Sequence, residues 1–145
     1  MRYGEWRPVW LLLAVCCLGF SVSARAQTND ETFRGIVAEL GNANFREKEA
    51  IAERLVNTEH SSVRAVLTAL LEDRLVQRTL DTQVFIVKSN DGSLATYELV
   101  DPVSLTDVEA VNPDQVQRII TNNRLRRTLR TTIARFSLSS TDASV

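Results

Sequence analysis

From Phe33 onward, apolar residues recur at helical steps. Phe33, Ile36, Val37 and Leu40 share one face. They predict a helix from about Thr32, capped by Asn29 or Asp30 and stopped at Gly41-Asn42. Asn44 opens a second helix, and Glu47 three residues later completes a capping box. Its apolar positions are Phe45, Ile51, Leu55 and Val56, with Ala50 and Ala52 between them. Ser61 or Ser62 caps a third helix, whose stripe is Val63, Val66, Leu67, Leu70 and Leu71. Three short amphipathic helices broken by Asn, Ser and Gly predict a helical-repeat stack, in which no hairpin buries its apolar face alone.

The period changes after Leu80. Val84-Phe85-Ile86-Val87 reads as a strand, Asn90-Asp91-Gly92 as a turn, and Leu94 to Val100 as the returning strand. Pro102 to Pro113 reads as a loop with one short turn. From Asp114, Val116, Ile119, Ile120, Leu125, Leu129, Ile133 and Phe136 recur at three- and four-residue steps, with one step of five. This stripe predicts a long helix to about Phe136, with Asn122-Asn123 as a weak point or as a turn between two shorter helices.

The beginning of the chain has a different pattern. Val9 to Phe20 is a run of 12 apolar residues, shorter than the ~20 a membrane span needs. Arg2 and Arg7 precede it and Ala24-Arg25-Ala26 follows, so residues 1–26 read as a secretory signal peptide. Cys16 and Cys17, the only cysteines, lie inside it. The mature chain from Gln27 would hold no thiol, disulfide or thiolate metal site. Export without disulfides favours a bacterial periplasm.

Composition then narrows the chemistry. The chain has 145 residues, 24% of them charged, with a formal net charge of -1. His60 is the only histidine, in a polar turn where a solvated side chain is expected. There is no G-x-S-x-G, P-loop or G-x-G-x-x-G motif. Neither catalytic nor cofactor residues are expected. Glu47, Glu49 and Glu53 lie among Arg46, Lys48 and Arg54, the pattern of a solvated mixed-charge helix face.

Charge is unevenly distributed. Residues 27–114 carry 8 basic and 16 acidic residues, whereas residues 115–145 carry six arginines against Asp142 alone. Arg124, Arg126, Arg127 and Arg130 are the candidate partner-contact residues, because guanidinium groups pair bidentately with carboxylates or phosphates. Three roles compete for the basic helix: pairing with the acidic first half, docking on a protein, or touching anionic lipid at the inner membrane. A net acidic exported domain is a poor nucleic-acid binder.

Three stretches resemble a known family. Leu70-Leu71-Glu72-Asp73-Arg74-Leu75, a hairpin like Val84 to Leu99, and Thr121-Asn122-Asn123-Arg124-Leu125-Arg126-Arg127-Thr128-Leu129 look like the periplasmic N-terminal region of bacterial urea ABC transporter permeases. The resemblance covers essentially residues 30–145. It implies a mainly α (α+β) fold, with HEAT-like helices over 27–80, a β-hairpin and loop over 81–113, and a long basic amphipathic helix over 114–137. Residues 138–145 would be a tail or the start of a further repeat, since Thr141 to Val145 echoes Thr58 to Val63. Protein contact on the periplasmic side, with a transporter subunit or a periplasmic substrate-binding protein, is an expectation added to the resemblance and not implied by it. The family's multi-span permease domain has no counterpart here, so no transport residue carries over. A free-standing exported helical-repeat adaptor of the periplasm is the alternative.

Overall fold

The computed structural model describes residues 21–89 and 91–141, with side chains for 26–89 and 91–136. The apolar run Val9 to Phe20 and the end of the tail lie outside the described residues. The order is α1 (Ser21–Glu39), α2 (Phe45–Asn57), α3 (Val63–Leu71), β1 (Leu75–Arg78), β2 (Val84–Val87), β3 (Tyr97–Val100), β4 (Asp107–Val111), a 3₁₀ turn (Pro113–Gln115), β5 (Val116–Arg118) and α4 (Asn123–Thr141). The strands form one antiparallel sheet in the order β4-β3-β2-β1-β5. The fold is α+β: the HEAT-like stack with a single inserted hairpin is overturned by this five-stranded sheet.

Four corrections have local causes. The first helix runs unbroken from Ser21, so Asn29 and Asp30 lie inside it rather than capping it. The helix also includes Ala24 to Ala26, the expected cleavage signal. β1 was hidden because Leu75 continues the helical stripe of α3. That stripe is ended by Asp73, held at φ 55°. The amide of Arg74 donates to the carbonyl of Ala69 at 2.8 Å, and that of Asp73 to Leu70 at 3.3 Å. This is a helix stop of the kind glycine usually makes, here made by an aspartate. β4 occupies the stretch predicted as loop, with four of its five residues exposed at the sheet edge.

The long helix is the fourth correction. Residues 114–122 are not α-helical: Pro113 opens a 3₁₀ turn, and Val116, Gln117 and Arg118 pair with Arg78, Gln77 and Val76 of β1. α4 begins at Asn123. Asn122 caps it, its side-chain oxygen accepting from the Leu125 amide at 2.8 Å and its carbonyl from Arg126 at 2.9 Å. Other readings hold. The capping box at Asn44 forms, with Arg46 and Glu47 amides donating at 3.0 Å and Glu47 accepting from the Asn44 amide at 2.8 Å. The β2 strand and the Gly41-Asn42 stop also lie where the pattern puts them.

Strand alternation splits the sheet between two cores. Leu75, Val84, Ile86 and Ile119 face the helices and join Phe33, Leu40, Leu55, Leu67, Leu70, Leu125 and Leu129. Val76, Phe85, Val87, Tyr97, Leu99 and Val111 form a second cluster on the opposite face. The sheet curls over that cluster, for Arg78 of β1 reaches Glu109 of β4 across it. The guanidinium of Arg78 stacks 4.7 Å from the Phe85 ring centre, and Arg118 donates to the Tyr97 hydroxyl at 2.7 Å. α4 packs on α2 and α3 through Leu125 and Leu129, with Ile133 and Phe136 partly buried beyond them.

Candidate functional site

The four candidate contact arginines, all on α4, divide by direction. Arg126 turns inward: its Nη2 pairs with Asp73 and its Nε donates to Thr121 Oγ1 at 2.9 Å. Thr121 in turn donates to Asp73 Oδ1 at 3.0 Å. This three-residue network ties the start of α4 to the turn after α3, so Arg126 is a positioning residue for the helix. Arg124 lies 78% exposed, with its Nε 3.1 Å from Glu49 Oε1 on α2. An ion pair this open is worth little in water. Among the described residues, Arg127 contacts the Asn123 carbonyl at a long 3.4 Å and pairs with no carboxylate. Arg130 is exposed and pairs with no carboxylate among the described residues.

The outward face of α4 therefore carries Arg124, Arg127 and Arg130, with Thr131 and Ala134, and no carboxylate of its own. Helical spacing places these arginines along one side. Intramolecular pairing with the acidic first half accounts for Arg126 and in part for Arg124. Lys48 of α2 supports the same corner: it is buried, and its Nζ donates to the Ile120 carbonyl at 3.1 Å. Burial holds its ammonium below the ordinary lysine range.

The chain matches no protein-family model, no curated protein sequence and no solved structure. The chemistry must be read from the side chains alone. Glu47, Glu49 and Glu53 do not converge on a site. Glu47 is committed to the capping box, Glu49 faces Arg124, and Glu53 sits on a groove with Arg135. No group of three metal-ligating side chains occurs among the described residues.

His60 departs from its expected solvated state. It is only 6% exposed and stacks on Phe33 at 4.2 Å between ring centres. Its Nδ1 accepts from the Ser62 amide at 3.1 Å, and its Nε2 lies 3.0 Å from Asp30 Oδ1. Accepting at Nδ1 leaves the ring proton on Nε2, directed at Asp30. Ser62 Oγ is buried and donates to the Val103 carbonyl, so it faces away from the imidazole. Asp30, His60 and Ser62 together brace α1 against the turn before α3. The polar sequence around His60 hid this role, because its apolar partner Phe33 comes from another helix.

One surface had no sequence signal. A groove of about 500 Å³ runs between α3 and the sheet. Its side chains come from α3 and the turns on either side of it, from β2 and the residue after it, from β3 and from the β3–β4 turn, and no local pattern joins them.

Proposed function

We propose that the chain is the periplasmic N-terminal part of a urea-type ABC transporter permease, acting as a protein-contact module with no transport activity by itself. The Thr121 to Leu129 block carries this reading. Five of the six residues of the family-like Asn-Asn-Arg-Leu-Arg-Arg string have an assignable place. Asn122 caps α4, Leu125 fills the core, Arg126 locks the junction, and Arg124 and Arg127 stand outward beside Arg130. A helix built this way presents arginines at fixed spacing to a surface rich in carboxylates. The partner is a transporter subunit or the periplasmic binding protein, reached on the periplasmic side of the inner membrane.

The test is urea uptake by the native host. Arg124→Glu, Arg127→Glu and Arg130→Glu together should reduce uptake at least about tenfold, the loss of about 1.4 kcal/mol of coupling. Chain abundance should not change. Uptake at the parental rate, or unchanged uptake after deletion of the reading frame, would overturn the transport reading.

A second reading rests on the packing of α4. Leu125 and Leu129 are already fully covered by the domain's own helices, which suits a free-standing exported adaptor. That reading expects deletion to leave urea uptake untouched.

A further inference from the structure

We propose that the groove between α3 and the sheet binds a peptide segment of a partner protein in which a carboxylate lies beside an aliphatic side chain. Its apolar surface comes from Ala65, Ile86, Val100 and Leu105, and Arg64 stands on its rim. Arg64 is exposed and has no carboxylate partner among the described residues. Of the two other cations on the groove, Arg74 holds Glu72 at 2.6 Å and also donates to the Val87 carbonyl at 3.2 Å, and Lys88 is shared between Glu98 at 3.0 Å and Asp107 at 2.8 Å. Arg64 is therefore the cation on the groove left to meet an incoming carboxylate.

Leu105 is the second, independent observation. It holds φ 56°, a left-handed backbone that a leucine rarely adopts, and its side chain is 45% exposed. The turn imposes this conformation. The Leu105 amide donates to the Asp101 carbonyl at 2.9 Å, and Asp101 Oδ1 accepts from the Val103 and Ser104 amides at 2.9 Å. Glycine or asparagine would hold this turn with less strain. A leucine there is costly to the fold and adds apolar surface to the groove. Strain kept at an exposed side chain points to binding. Aliphatic side chains beside one guanidinium unpaired among the described residues suit a short peptide segment that carries both a carboxylate and an aliphatic side chain.

The test needs no transporter subunit. The ¹⁵N-labelled full chain is titrated with N-acetyl-Glu-Leu-Glu-Leu amide, and separately with its Lys-Leu and Glu-Ser analogues. The Glu-Leu peptide should shift the amides of Arg64, Ala65, Thr68, Lys88 and Leu105, and the analogues should not. Arg64→Glu and Leu105→Gly should each weaken binding about tenfold or more. Leu105→Gly should do so while its urea midpoint stays level or rises, which a purely structural leucine would not allow. Equal shifts from all three peptides, no shifts at millimolar peptide, or shifts confined to α4 would overturn the proposal. Concentration-dependent shifts of the same amides without peptide would assign the groove to a second copy and also overturn it.

Discussion

Gly41 sits in the turn after α1, where a methyl group has no room. A Cβ there would lie 2.3 Å from Gln77 Nε2 and 2.6 Å from its Cδ. Gln77 is buried and donates to the Thr82 carbonyl at 3.1 Å, so it moves aside only by losing that bond. Gly41→Ala should therefore cost about 1–3 kcal/mol in urea unfolding. In a Gln77→Ala background the obstacle is gone, and the penalty should shrink. Equal penalties in both backgrounds would show that the clash is not the cause. The sequence placed a helix stop at Gly41. It gave no sign that a strand residue 36 positions later makes small size obligatory. Arg126 teaches the same point. It sits in a string of arginines of one type, yet only the fold directs it at Asp73 while its neighbours face water.

At the scale of elements, the β3–β4 turn is tied to α1 by Asp101. Its carboxylate meets Arg34 at 2.7 Å and accepts from the Val103 and Ser104 amides. Burial alone would raise its pKa; Arg34 and the two amides outweigh that and hold it below the ordinary 3.8. The folded state thus binds this proton more weakly than the unfolded chain. The stabilisation is complete above the ordinary aspartate value and is lost as pH falls through the lower, folded pKa. Asp101→Asn should cost about 1 kcal/mol at pH 7. It should also flatten the stability profile below about pH 4, where aspartate titrates. An acid-unfolding profile parallel to that of the parent would contradict this. The elements themselves differed in legibility. The capping box of α2 and the β-branched run of β2 declare themselves over a few neighbouring residues. β1 and β5 do not, because Leu75, Val116 and Ile119 continue helical stripes on either side of them.

Across the whole molecule, α4 carries buried core residues on one side and the proposed contact arginines on the other. Leu125 and Leu129 are fully buried on its inner side, and Arg127 and Arg130 are exposed on its outer side. Leu129→Ala should cost about 2–5 kcal/mol by opening a cavity against α2 and α3. Arg127→Ala should stay within about 0.5 kcal/mol. Urea titrations of both variants check this division. A large loss from Arg127→Ala would mean that the outward face holds the fold together rather than a partner. No described helix is long and apolar enough to cross a membrane.

The sequence by itself determined the helices with a clean 3.6 period, the capping box at Asn44, the β2 strand and the concentration of arginine after residue 115. These are local properties, legible because their causes lie within one or two helical turns. Only the tertiary structure decided the rest. The stripe that looks like one long helix divides at Asn122, because β1 offers β5 a free edge whose hydrogen bonds outweigh a helical turn next to Pro113. His60 is buried because Phe33 lies across from it, and Arg126 faces inward because Asp73 is held where it can be reached. Strand pairing and side-chain direction join residues far apart in the chain, and a period read along one segment carries no information about the segment it will meet.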